Sequence, residues 1–438
     1  MEEKNTNNSP HSFRHYYFES AGTGKRYEDV DWILDPKDEE MPSLLRSVYR
    51  ERQLKLKDRE TGLFRYAGWL PVHQTLGQSS ATITYKSTGL ARHLGLEHLY
   101  IAFSGYWPER GAHMQTCTFK ETEAYPVCGR LNGLGDRTLV VASAGNTARA
   151  FARVCSDNRI PLLVFVPERN FSSLWFHKPL DDCVKLVKVR DADYLDAINL
   201  SNRICDGERF VPEGGVKNAA RRDGMGTVVL SAVLEIGHIP DYYFQAIGSG
   251  SGAIAAWETN LRLLADGRFG RNKMKLIVSQ NKPFTPVYHA WQGGSRQLDL
   301  DKIREEQHLI PELYSGVLSN RKPAYSMYGG LYDALVDTAG DVLAVDNKEA
   351  DEAMQLFAET EGIDAHPAAA VAVASLMQKV RADEIDHDAR ILLNVTGGGE
   401  QRFREDHQVM QMEPHIVMDK HVEMEEIHDL VNDALSQS

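Results

Sequence analysis

The chain has 438 residues, 42% of them hydrophobic and 25% charged, with a formal net charge of −13 and a pI near 5.7, the make-up of a globular protein of about two or three domains. The acidic balance argues against a nucleic-acid partner, which draws on clustered Lys and Arg. Five cysteines without a C-x-x-C pair argue against a zinc ribbon or disulfide scaffold and suit a reducing, cytoplasmic setting, and no apolar run reaches the ~18 to 20 residues of a membrane span.

Residues 1–14 are polar and aperiodic, which predicts disorder. The following segments, up to Arg65-Tyr-Ala-Gly-Trp-Leu-Pro71, read as helical or irregular. From there short apolar runs alternate with helical patterns, the sequence form of an α/β fold with mostly parallel strands. The runs at 138–142, 162–166, 184–189, 242–247, 275–278, 342–345 and 391–395 predict strands. Tyr194, Ala197, Ile198, Ser201, Ile204 and Cys205 share one helical face, as do Ile254, Trp257, Leu261 and Leu264, and these faces would cover the sheets. Asp346 with Glu349 predicts a capping box for a helix ending near Gly362, and Pro367 suits the first turn of the next. At the end, Ile427, Leu430, Val431, Ala434 and Leu435 form an apolar face that packs on the body or on a second copy.

Four stretches could carry chemistry. Lys120 lies in Met114-Gln-Thr-Cys-Thr-Phe-Lys120; a lysine amine joins an aldehyde cofactor as a Schiff base when its pKa is lowered or it is held beside the carbonyl. Alone, it reads as a surface or salt-bridged lysine. Ser143, Ala144, Gly145, Asn146 and Thr147 follow a predicted strand and open a helix, where free backbone N–H groups bind anions; a plain helix N-cap is the alternative. Gly248, Ser249, Gly250, Ser251 and Gly252 repeat that arrangement with glycines that let a phosphate approach the backbone. No lysine follows them and the third glycine comes one residue early for G-x-G-x-x-G, so a phosphate monoester is a better ligand than a nucleotide. Thr396, at the exit of the last predicted strand, offers a hydroxyl without full charge.

Together with Thr75-Leu-Gly-Gln-Ser-Ser80 and Gln280-Asn-Lys-Pro-Phe284, these stretches make the chain resemble the fold-type II pyridoxal-phosphate enzymes, and within them threonine synthase and its relative cysteate synthase. The resemblance implies pyridoxal 5'-phosphate held by Lys120, its phenolic oxygen met by Asn146, its phosphate by residues 248–252 and its ring nitrogen by Thr396. It implies that residues 143–147 grip the amino-acid carboxylate and that Arg221, in Lys217-Asn-Ala-Ala-Arg-Arg222, meets a leaving phosphate through its planar fork. A hydroxyl at the ring nitrogen leaves that nitrogen unprotonated, which makes the ring a weaker electron sink and suits β-replacement better than transamination. The implied reaction takes O-phospho-L-serine and sulfite, through an aminoacrylate, to L-cysteate and phosphate. The alternatives are threonine synthase chemistry on O-phosphohomoserine, another nucleophile on O-phosphoserine, or a non-catalytic cofactor-binding relative.

Three departures from threonine synthases stand out. Tyr17-Phe-Glu-Ser-Ala-Gly22 has no cysteine where a zinc ribbon would begin, so no metal is expected; Ala144 replaces a hydroxyl; and Gly398 stands where a histidine is common. The expected layout is an N-terminal arm over 1–75, a large cofactor domain over 76–127 plus 236–438, and a smaller α/β domain inserted over 128–235.

Overall fold

The computed structural model describes residues 15–131, 137–143, 145–205 and 207–436. The expected disorder of 1–14 and the proposed contact of Ala144 lie outside the described residues.

Two open sheets organise the chain. One has six strands in the spatial order Asp341–Val345, Lys275–Asn281, Tyr242–Ala246, Arg390–Val395, His98–Phe103 and Ile83–Lys86, all parallel except the last. The other has five parallel strands, in the order Phe210–Pro212, Thr138–Ala142, Leu162–Pro167, Val184–Arg190 and Ile416–Asp419. Successive residues of one strand serve opposite faces: Tyr243, Leu276 and Leu392 pack with the helices Ala219–Ile236 and Ser251–Asp266, while Phe244, Ile277, Ile391 and Leu393 pack with Asn347–Glu361 and Pro367–Arg381. In the smaller sheet Leu139, Leu162 and Val164 face the helix Asn146–Asn158, and Val140, Leu163 and Phe165 face Tyr194–Ile204 and Met424–Ser436. Each fully buried aliphatic or phenyl side chain stabilises by about 1.5–3 kcal/mol, and a strand covered on both faces therefore reads as a continuous apolar run rather than an alternation. The seven strands expected from such runs are all present.

The structure corrects two expectations. The stretch before residue 65 is not only helical or irregular: Tyr16–Ser20 pairs antiparallel with Arg26–Tyr27 and with Leu45–Tyr49 in a small sheet. Tyr16, Phe18 and Ser20 point inward, and Asp29 just beyond takes a two-pronged contact from the buried Arg130, at 2.9 and 2.6 Å, which ties this arm to the body. The C-terminal stretch also divides differently from the expected layout. Ile416–Asp419 extends the smaller sheet beside Val184–Arg190, and Met424–Ser436 packs on that edge. At four residues, with Val417 exposed and Asp419 half-buried, this strand is too short to stand out as an apolar run.

Candidate active site

Lys120 is the first residue of the helix Lys120–Leu131, which packs between the helices Asn146–Asn158 and Ala219–Ile236 and is buried along nearly its whole length. Glu121 and Glu123 in the first turn suit the positive end of the helix. Only a fifth of the Lys120 side chain is exposed, and its Nζ donates to Oε1 of the wholly buried Glu123. Burial pushes the Lys120 ammonium below the usual lysine range; Glu123 opposes that shift and the Arg221 guanidinium adds to it. An amine so placed is easier to deprotonate than a surface lysine and keeps one fixed counter-ion.

Backbone contacts bring the other expected residues to it. Phe119 donates its N–H to the Thr396 carbonyl at 2.9 Å, Gly398 donates to the Cys117 carbonyl at 3.0 Å, and Thr118 bridges Gly397. Thr396 thus stands at the end of the strand Arg390–Val395, one residue in space from the lysine. His366 donates its N–H to the Gly397 carbonyl at 2.8 Å, and its ring Nε2 lies 3.2 Å from Nδ2 of Asn146. Asn146 opens the helix Asn146–Asn158, and its Oδ1 accepts from Arg149 at 3.1 Å. Ser143 is buried and its Oγ accepts the Gly145 N–H at 3.2 Å, next to the start of this helix. Ser143 and Thr147 are on this strand-to-helix turn, beside Asn146.

Gly248 to Gly252 join the strand Tyr242–Ala246 to the helix Ser251–Asp266, and the helix touches the lysine stretch where Ala255 packs on Phe119. Gly250 sits at φ +80°, in the left-handed region, as the residue before the helix. A Cβ on Gly248 would stand 2.9 Å from the Val317 carbonyl, and one on Gly252 would run into the Gln245 amide. The Ser249 and Ser251 hydroxyls lie 2.9 Å apart at the same helix start. A glycine turn with hydroxyls at the positive end of a 16-residue helix is a cradle for a phosphate, so the residues present fit pyridoxal phosphate: an amine for its aldehyde, an amide and a hydroxyl along its ring, and this turn for its phosphate. Gln245 accepts from Tyr243 Oη at 2.6 Å and contacts the Asn394 amide at 3.3 Å, so it cannot easily yield. Gly252→Ala should therefore shift the helix start and weaken cofactor binding by about tenfold or more, as overpacking at a rigid site costs ~1–3 kcal/mol; titration of apoenzyme with the cofactor checks it.

Arg221 reaches the site but faces carboxylates: Nη1 is 2.7 Å from Glu213 and Nη2 2.7 Å from Glu123. Its burial disfavours the charge, and the two carboxylates outweigh that and raise its pKa. Sequence reasoning missed Glu123, Glu213, Arg149 and His366. His366 is half-buried, and desolvation with the nearby Arg149 pushes it down to about 4, so its ring is neutral. Its one sequence signal was the Pro367 that follows, since His366 is the N-cap residue of the helix Pro367–Arg381 and accepts the Ala368 N–H at 3.1 Å. Among the described residues no group of three or more His, Cys, Asp or Glu is placed to hold a metal ion.

Residues 82–397 match the family described as "Pyridoxal-phosphate dependent enzyme", and the chain belongs to that family. Within it the chain groups with the cysteate synthases. It is 48% identical to cysteate synthase from Methanosarcina acetivorans over 88% of this chain and 93% of that protein. The cysteate synthase of Methanocella paludicola is 47% identical over 85% of this chain and 87% of its own length. Among solved structures, serine racemase from Dictyostelium discoideum aligns with a TM-score of 0.53 at 16% identity, covering 73% of this chain and 92% of that one. Maize serine racemase aligns at 0.54 and 14%, covering 81% and 93%. At such identities these two likenesses support the fold alone, which is that of the fold-type II pyridoxal-phosphate enzymes.

Proposed function

We propose that the chain is a cysteate synthase, converting O-phospho-L-serine and sulfite to L-cysteate and phosphate. The observation that carries this reading is the near full-length similarity to cysteate synthases at 48% identity. The site supports it with a mostly buried lysine paired with Glu123, and with Thr396, a residue bearing a hydroxyl and no charge, held by its backbone to Phe119 next to that lysine. When bound, pyridoxal phosphate supplies an electron sink conjugated to the substrate α-carbon.

The chain's own residues do the rest. Lys120 holds the cofactor, and its amine, once released, takes the proton from the substrate Cα and later gives it back. Asn146 is steadied by Arg149 on one side of its amide and by His366 on the other, and would meet the ring oxygen when the cofactor is bound. Ser143, Gly145 and Thr147 gather the substrate carboxylate at the start of their helix. Arg221 offers charge for the phosphate that departs from Cβ, shared with Glu123 and Glu213. Arg321 follows a stretch that covers the glycine turn, and its Nη2 pairs with Asp193 on the smaller sheet's helix at 2.9 Å. That pair ties the stretch over the glycine turn to the helix Tyr194–Ile204.

No helix among the described residues is long and apolar enough to cross a membrane. Pairing O-phosphoserine or O-phosphohomoserine with sulfite, sulfide, thiols, amines and water, and reading released phosphate with the new amino acid, tests the reading. Cysteate should form from O-phosphoserine and sulfite at least ~100-fold faster than any other pair yields product. A faster product from sulfide or an amine would overturn the sulfite assignment.

A further inference from the structure

Glu123 is a wholly buried carboxylate three residues after Lys120, on the same first helical turn. Its Oε1 accepts from Lys120 Nζ, and its Oε2 is ion-paired with Arg221 Nη2 at 2.7 Å. The other groups facing this pair are Glu213, on the far side of Arg221 at 2.7 Å, and Tyr194, whose phenol is electrostatically coupled to Arg221, Glu213 and Glu123. A buried carboxylate is costly to keep without a purpose or a partner. Arg221 is shared between Glu123 and Glu213 and cannot neutralise both, so the Lys120 ammonium is the counter-charge that Glu123 holds.

Replacement at Cβ makes a demand that simple elimination does not, and this inference rests on the β-replacement reading above. In the first half a proton leaves Cα for Lys120 Nζ, and the Cβ–O bond pair departs on phosphate. In the second half the sulfur lone pair forms the Cβ–S bond, and the proton returns from Nζ to Cα. Between the halves one anion leaves and another enters while the lysine must stay protonated. An ammonium in a desolvated site tends to lose its proton, and the departing phosphate is a ready acceptor.

We propose that Glu123 is a catalytic partner of Lys120, the carboxylate that keeps the lysine protonated between the removal of the substrate α-proton and its return. It touches the reacting nitrogen directly, and its second oxygen is pinned by Arg221, so the carboxylate cannot swing away when the lysine moves. The burial and Arg221 that weaken the ammonium are opposed at this position by Glu123.

The test compares wild type, Glu123→Gln and Glu123→Asp, first as apoenzymes. The rate at which added pyridoxal phosphate forms its visible lysine adduct is followed against pH, and the adduct is trapped with borohydride and mapped. Removing the carboxylate should move the acid limb of that profile to lower pH by about one unit or more, the usual effect of an opposite charge in contact. Glu123→Asp, whose carboxylate is withdrawn by one methylene, should move it partway in the same direction, and it decides the matter alone if Glu123→Gln does not fold. In the reconstituted enzymes kcat should fall roughly ten- to a hundred-fold in Glu123→Gln, with KM for O-phosphoserine little changed. An acid limb that stays in place in either variant, or a kcat that is unaffected, overturns the proposal. Mapping of the trapped cofactor to a lysine other than Lys120 would instead overturn the reading of the site itself.

Discussion

Lys120→Ala should give a folded, colourless protein without measurable turnover. The truncation removes the amine that binds the cofactor aldehyde and the base that moves the α-proton, two roles of one atom, so no partial activity is expected to survive. Folding should suffer little by comparison. Lys120 begins its helix and its side chain is not fully buried, and Glu123 keeps Arg221 as a partner at 2.7 Å after the lysine is gone. A loss of about 1–3 kcal/mol, that of one charged hydrogen bond, is the scale to expect. Visible absorbance after reconstitution, a thermal melt followed by circular dichroism and a coupled phosphate assay measure the three effects separately. A Lys120→Ala protein that still turned yellow through a borohydride-stable link would place the cofactor on another lysine.

The site residues expected from the sequence share a local signature. Lys120, Asn146, the turn 248–252 and Thr396 each sit at the start of a helix or the end of a strand, and such junctions are marked by glycines, hydroxyls and the apolar run beside them. The strands buried on both faces were legible for the same reason. What was lost depends on contacts far apart in the chain. Glu123 and Glu121 look like the solvated first turn of any helix, yet both are buried, and Glu121 accepts from the Thr116 N–H and hydroxyl while burial pushes it up to about 7. Glu213 and Arg149 have meaning only once Arg221 and Asn146 are beside them. The strand Tyr16–Ser20 does alternate, but its outward residues include Tyr17, which hides the polar half of the pattern. Arg221 was singled out through the resemblance, as the arginine that meets a leaving phosphate. The structure adds the two carboxylates that hold it.

Those carboxylates make Arg221→Ala the other variant with a large expected effect, on stability as well as on chemistry. Arg221 is buried between Glu123 and Glu213, so its removal leaves Glu213 without this partner and Glu123 with Lys120 alone. Breaking a buried pair from one side costs about 3–5 kcal/mol, enough to lower the midpoint of a denaturant melt markedly. The chemistry should change in a direction opposite to that of Glu123→Gln. Arg221 disfavours the Lys120 ammonium, so without it the lysine holds its proton to higher pH, and the acid limb of apoenzyme labelling should move up. Two causes of lost activity can then be separated by a double variant. Arg221→Ala combined with Glu213→Gln removes one orphaned charge and should recover part of the stability, a coupling measured by a double-mutant cycle. If Arg221 also meets the leaving phosphate, KM for O-phosphoserine should stay raised in the double variant, and added phosphate should compete with sulfite in wild type but not in this protein. Recovery of stability and of KM together would confine Arg221 to neutralising Glu123 and Glu213, and the phosphate would need another cation.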